Sequence, residues 1–242
     1  MPAKQTEVMD EPPKKRVRWT HAYRIVSSRF PPVGAFDRIA EPGDLEALYA
    51  IEAMTNPRLR QELGELSLVP ESRRISGPGS TPVMAAFTHL NPEGSRFSDG
   101  SYGVFYAAHR VATAIEETVY HRECFLAATR EPPIHLQMRC YRTSISATLH
   151  DLRGGWPKAH DPDDYGYGQA LGRRLRRHGS NGIVYDSVRD VGSQCVAAFY
   201  PDVVAPCVQA GHYIYRWDGT RISAVLEVAS VTQRVDGSSA KP

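Results

Sequence analysis

The chain has 242 residues, 41% of them hydrophobic and 23% charged, enough for one large domain with a real core. A net charge of +2 gives no general electrostatic reason to expect nucleic acid as a direct partner. No apolar run approaches the length that spans a bilayer. The four cysteines, Cys124, Cys140, Cys195 and Cys207, form no C-x-x-C pair and no cluster with zinc spacing. With no secretory signal at the N-terminus they read as reduced thiols, and the expected location is the cytoplasm.

Residues 1–18 are polar and end in Glu11-Pro-Pro-Lys-Lys-Arg-Val-Arg18, which reads as a flexible tail. Tyr23 to Val26 is a first strand, with Arg24 either a ligand-binding residue or an edge-strand charge. Asp44 is a good N-cap for a helix in which Leu45, Leu48 and Ile51 hold helical spacing. The Thr55-Asn-Pro57 step interrupts it, and Leu59 to Leu63 reads as a further turn. Residues 68–81 are a loop. Pro82 to His89 is a strand or a short buried segment.

Gly94 to Ser101 is a loop of turn formers, followed by the short strand Gly103 to Tyr106. From Ala107 to about Ala128, Val111, Ile115 and Val119 stand four apart, the stripe of a helix with one buried face. Ile134 to Tyr141 and Ser144 to Leu152 read as two half-buried strands. Asp163 or Asp164 caps a helix with Leu171 and Leu175 on one face and Arg173, Arg174, Arg176 and Arg177 on the other. Gly182 to Val188 and Cys195 to Val204 are strands. His212 to Val225 is a hairpin turning at Asp218-Gly219. Strands outnumber helices and mostly do not alternate with them, which predicts an α+β fold with largely antiparallel sheet. Neither a G-x-G-x-x-G fingerprint nor a P-loop is present. The expected division is a tail over 1–18, a single domain over 19–235 with a helical insertion at 31–81, and a polar tail over 236–242.

Three residues punctuate the central stretch. Arg96 sits in the loop, Tyr106 closes the strand and Glu117 lies in the helix. A guanidinium, a phenol and a carboxylate suit an anionic ligand carrying an aromatic ring. The same residues also read as a surface arginine, a core tyrosine and a solvated glutamate.

On Gly94-Ser-Arg-Phe-Ser98, Tyr106-Ala-Ala108 and Glu117, the chain resembles the RES domain family, the toxin half of bacterial toxin–antitoxin pairs. The family motif falls on Arg96, Tyr106 and Glu117, ten and eleven positions apart by their numbers. Glu116 competes for the carboxylate role. The spacing from Tyr106, and His121 four residues on, favour Glu117. Gly182 to Ser187 resembles the family strand that ends in a serine, and Ala198-Phe-Tyr-Pro201 the strand before its Asn-Pro. Ser98 departs from the family's usual asparagine, and residues 31–81 gain no role from the resemblance.

The resemblance implies an ADP-ribosyltransferase-like split, mainly antiparallel sheet with flanking helices. It implies an enzyme that degrades NAD by cutting the ribose–nicotinamide bond, as glycohydrolase or phosphorylase. NAD is then substrate, and neither a resident cofactor nor a metal is expected. The alternatives are a mono-ADP-ribosyltransferase acting on a protein and an inactive partner-binding module. The expected partner is an Xre-type helix-turn-helix antitoxin, through which any nucleic-acid contact would run. A homodimer is a further expected assembly. In this scheme Glu117 stabilises the oxocarbenium-like transition state, Tyr106 stacks on nicotinamide and Arg96 holds the pyrophosphate. Ser187, Arg24 and Arg189 are further ligand-binding candidates.

Overall fold

The computed structural model describes residues 11–28 and 64–229. The expected helix from Asp44, the turn at 59–63, most of the 31–81 segment and the 236–242 tail lie outside the described residues.

The described chain forms seven strands, β1 (Lys14–Ser27), β2 (Phe105–Ala108), β3 (Ile134–Asp151), β4 (Gly182–Asp186), β5 (Gln194–Ala198), β6 (Val208–Trp217) and β7 (Ile222–Glu227). Three α-helices accompany them: α1 (Thr81–Thr88), α2 (Val111–Thr129) and α3 (Gly166–Arg177). The strands pair in the order β1-β2-β5-β4-β3-β6-β7, and β1 also pairs with β3. The first five strands therefore close a ring of pairings, from which the β6–β7 hairpin extends. Only β3 and β4 run parallel, at His150↔Ile183 and Asp151↔Val184. The fold is α+β with a mainly antiparallel sheet.

The basic run expected in the tail belongs to β1. Val17 and Trp19 are buried while Arg16 and Arg18 are exposed, the alternation of a half-buried strand. The run holds because its backbone pairs with β3 from Lys14↔His150 onward. Between Trp19↔Ile145 and Ala22↔Thr143, β1 advances three residues while β3 advances two. This one-residue bulge turns every later side chain of β1 to the opposite face.

Pro82 to His89, read as a strand or buried segment, supplies all of α1 but its first residue, Thr81. Pro82 stands in its first turn, where its missing N–H costs nothing, and Val83, Met84 and Phe87 are buried on one side. An eight-residue apolar run has no periodicity that separates strand from helix. The two strands expected over 134–152 are one continuous β3, carried through Arg142 and Thr143 by their pairing with Tyr23 and Ala22. The helix expected from Asp163 or Asp164 starts at Gly166. Asp164 still serves it, because its Oδ1 accepts the Gly166 N–H at 2.8 Å.

The sheet buries both faces. On one, Val17, Trp19, Phe105, Ile145 and Val196 pack with Met84 and Phe87 of α1. On the other, Met138, Cys140, Ile183, Cys195 and Tyr215 pack with α2 and α3 through Ala114, Leu171 and Leu175. All four cysteines are free thiols, three of them buried. Among the described residues no helix is long and apolar enough to cross a membrane.

Two ion pairs that share Asp151 lock the junction of β1, β3 and β4. The Asp151 side chain, 5% exposed, accepts from Arg153 Nε at 2.8 Å and Nη2 at 2.9 Å and pairs with Lys15 Nζ at 3.1 Å. The Arg153 hydrogen bonds, ahead of the Lys15 contact, lower its pKa from 3.8 to about 2. Unfolding therefore takes up a proton between these two values. The stabilisation is complete above about pH 4 and lost as pH falls toward 2. From the size of the shift, Asp151→Asn costs about 2 kcal/mol at pH 7. Urea unfolding of both proteins at pH 7 and pH 3 tests this: the gap between them narrows at the lower pH. An equal gap at both would mean that the carboxylate charge is irrelevant.

Candidate active site

The site is built on the α2/α3 face of the sheet. Tyr106 of β2 pairs with Ala197 of β5, and Ala108 with Cys195, which in turn pairs with Tyr185 of β4. Tyr106, Cys195 and Tyr185 thus stand on one face of three adjacent strands, all within the same packed cluster. Helix α2 crosses above them. Its stripe Val111, Ile115 and Val119 packs onto this cluster, partly buried, with Ala114 fully so. That docking turns Glu117 toward β5 and leaves Glu116 exposed. Glu117 Oε1 lies 4.0 Å from Cys195 Sγ.

The Glu117 carboxylate is oriented by Ser187, whose Oγ donates to Glu117 Oε1 at 2.6 Å. Ser187 is 5% exposed and sits where β4 turns toward β5. Its Oγ also accepts the backbone N–H groups of Arg189 at 3.2 Å and Asp190 at 3.0 Å. A hydroxyl has one proton and two lone pairs, so Ser187 is saturated. The sequence offers Ser187 as a ligand-binding candidate, and in the structure its hydroxyl holds the Glu117 carboxylate. Cys195, buried beside a carboxylate, keeps its proton, since burial raises its pKa well above the usual thiol range.

The loop carrying Arg96 is tightly held. Ser95 and Ser98 bridge each other, Tyr102 Oη donates to Phe97 O at 2.5 Å, and Ser98 Oγ donates to Tyr102 O at 2.6 Å. Tyr106 Oη accepts the Phe97 N–H at 3.0 Å and shares a 2.9 Å hydrogen bond with Ser95 Oγ. Burial pushes the Tyr106 pKa up to about 12, so the phenol is neutral. Helix α3 lies almost backbone to backbone against this loop. A Cβ on Gly168 would stand 2.4 Å from Arg96 O, and one on Gly172 2.2 Å from Phe97 O. Only glycine one turn apart permits that approach.

Arg96 is 7% exposed. Its Nη1 donates to Ala159 O at 3.1 Å and Asp161 O at 2.6 Å, and its guanidinium lies 4.6 Å from the Tyr165 ring centroid. Both Nη1 protons are spent on the loop before α3. Any ligand contact falls to the Nε and Nη2 side of the guanidinium.

Arg189 reaches across the same region. Its guanidinium stacks 3.3 Å from the Tyr120 ring centroid, and Nη2 donates to Pro162 O at 2.5 Å. It joins α2 to the loop before α3. His121 is exposed next to Tyr120, with ring centroids 5.4 Å apart.

Arg24 is not in the site. The bulge in β1 turns it to the other face of the sheet, where its guanidinium lies 4.8 Å from the Phe105 centroid. Its Nη1 donates to the Tyr106 carbonyl at 3.1 Å, a brace between β1 and β2, and burial depresses its pKa.

The structure therefore brings Arg96, Tyr106, Glu117, Ser187 and Arg189 together and sets Arg24 apart. It adds Tyr120, Tyr165, Tyr185 and Cys195, which sequence reasoning missed. Tyr120 had a signal, three residues after Glu117 on a helix. Tyr165 had none, because only tertiary packing sets it against Arg96. Among the described residues, no three His, Cys, Asp or Glu side chains converge as a metal-binding group.

Comparison with known proteins places this chain in a family. The model of the RES domain matches residues 72–218, which hold Arg96, Tyr106, Glu117 and Ser187. The uncharacterized protein y4oC of Sinorhizobium fredii is 36% identical over 208 residues, covering 83% of this chain and 84% of that protein. A chain of the crystal structure of the M. tuberculosis MbcT–MbcA toxin–antitoxin complex is a more distant likeness. It has a TM-score of 0.41 and 13% identity, over 81% of this chain and 86% of that one. The span of the family match and the similarity to the Sinorhizobium protein lead to one conclusion: this chain belongs to the RES domain family.

Proposed function

We propose that this chain is the toxin of a toxin–antitoxin pair and that it destroys NAD by cleaving the ribose–nicotinamide bond. The observation that carries the reading is the Glu117 carboxylate. Among the described residues its hydrogen-bond partners are the Ser187 hydroxyl and the Cys195 thiol, neither of them a cation. A carboxylate held in one orientation, with no salt bridge among the described residues, is free to stabilise positive charge on a substrate.

Breaking the C1′–N1 bond of NAD sends the electron pair to the pyridine nitrogen, and nicotinamide leaves neutral. The ribose becomes oxocarbenium-like, and an acceptor oxygen adds at C1′ and loses its proton. Glu117 acts on charge that exists only in the transition state. Arg96 and Arg189 provide positive charge for the pyrophosphate, and Tyr106, Tyr120 and Tyr165 provide aromatic surface for the rings. NAD is the substrate, and the chemistry asks for no resident cofactor. Family membership supports an antitoxin partner of Xre type.

The test is purified protein incubated with NAD, with and without inorganic phosphate, and the products identified. Free nicotinamide is expected. ADP-ribose, ADP-ribose 1″-phosphate or a modified protein then identifies water, phosphate or protein as acceptor. Intact NAD after long incubation would overturn the reading. Growth arrest on expression, relieved by a helix-turn-helix protein encoded beside the gene, tests the toxin assignment separately.

A prediction follows for Tyr106. Ring stacking alone would leave Tyr106→Phe fully active. The hydroxyl, however, holds the Phe97 N–H and Ser95 Oγ, and with them the Arg96 loop. Losing a partly buried pair of hydrogen bonds costs about 1–2 kcal/mol. Tyr106→Phe is therefore expected to lose about tenfold in kcat/KM, and Tyr106→Ala more. A fully active phenylalanine variant would return the role to the ring alone.

A further inference from the structure

The turn that carries Ser187 is also fastened to α2 on the N-terminal side of Glu117. Thr113, fully buried, donates from Oγ1 to Asp190 Oδ2 at 2.6 Å. Arg110, the residue before α2, also contacts Asp190 Oδ2 at 3.2 Å and bonds Ser193 Oγ. Within the turn, the Ser193 N–H reaches Asp190 O at 3.0 Å and the Ser187 N–H reaches Ser193 O at 2.8 Å. Thr113 and Glu117 are four apart on α2 and share a helix face. The same turn thus grips that face three times, Asp190 on Thr113, Ser187 on Glu117 and Arg189 on Tyr120, in order along the helix.

Helix α2 has no cap of its own that would explain this contact as ordinary capping. Arg110 at its N-cap makes no capping side-chain bond, and its first turn carries no acid. Asp190, from another element, supplies the negative charge that a helix N-terminus favours. The Asp190–Thr113 bond and the Arg189–Tyr120 stack flank the Ser187–Glu117 bond on either side and together fix the register of the turn along the helix.

We propose that Thr113 and Asp190 are positioning residues for Glu117, holding the 187–193 turn so that Ser187 keeps the carboxylate in one orientation. The inference rests on the NAD-cleavage reading for its kinetic consequence and on geometry alone for its structural one.

The experiment pairs Thr113→Val, which keeps shape and removes the donor, with Thr113→Ser, which restores it. Each is made in the native chain and with Glu117→Gln. In the native chain Thr113→Val is expected to lower kcat for NAD about tenfold with KM within twofold, and Thr113→Ser to stay within twofold of native. With Glu117→Gln present, Thr113→Val is expected to add nothing, because its effect runs through the carboxylate. An equal proportional loss in both backgrounds, or an unchanged kcat, overturns the positioning role.

Amide hydrogen exchange of residues 187–193 provides the arm that does not depend on activity. Thr113→Val is expected to speed exchange of the Arg189 and Asp190 amides at least fivefold, and Thr113→Ser to leave it unchanged. No change with valine overturns the fastening itself. If the native protein leaves NAD intact, it is the function reading that fails, and the exchange arm still decides the fastening. Asp190→Ala, which removes the acceptor from the turn, replaces Thr113→Val if the valine variant does not fold.

Discussion

Glu117→Gln is expected to lower kcat for NAD cleavage by about 10²–10³-fold with little change in KM. Glutamine keeps the shape and can still accept from Ser187 Oγ, whose 2.6 Å bond holds the carboxylate. What is lost is the charge opposite the developing oxocarbenium, and removing one preorganised electrostatic group costs on that order. Glu116→Gln is the control. Glu116 is exposed on the next position of α2, about 100° around the helix. Its replacement is expected to stay within about a factor of three, as for surface substitutions generally. Turnover measured on both variants decides between them. A dead Glu116 variant beside a live Glu117 variant would show that the catalytic carboxylate is misassigned.

Arg96→Ala is expected to reduce kcat/KM by about 10²-fold and to destabilise the fold by about 3 kcal/mol. Two carbonyls, Ala159 O and Asp161 O, lose a charged donor, at about 1.5–3 kcal/mol for each such bond. The stack on Tyr165 goes with it. Both partners belong to the segment that leads into α3, so the loss displaces one wall of the site as well as a ligand contact. Arg96→Lys is expected to do nearly as badly, because a point-like ammonium on a flexible stem cannot stack and span two carbonyls at once. Thermal unfolding and steady-state kinetics on both variants check this. A lysine variant with native stability and only a raised KM would mean that Arg96 serves the substrate as a simple charge.

Much of the outline was legible from local sequence. The Val111–Ile115–Val119 spacing located α2, Leu171 and Leu175 located α3, and Asp218-Gly219 marked the β6–β7 turn. Such patterns are local consequences of a 3.6-residue helix or a two-residue turn, so a short window carries them. The order of Arg96, Tyr106 and Glu117 pointed to the family in the same way, and the docking of α2 places Glu117 rather than Glu116 toward the sheet.

What the sequence could not decide depends on contacts far apart in the chain. Lys14 to Arg18 is a strand rather than a tail because β3 pairs with it, across more than a hundred residues. Arg24 leaves the site because one extra residue between Trp19 and Ala22 reverses the face on which it emerges, and a bulge has no signature in that run. The resemblance offered Ser187 as a ligand-binding candidate, and the contact that makes it the holder of Glu117 joins residues seventy apart in the chain. Residue types and local periodicity determined which groups are available and which elements carry them. Pairing register, helix docking and hydrogen-bond saturation decided which of those groups face one another, and these are properties of the folded backbone that no local window contains.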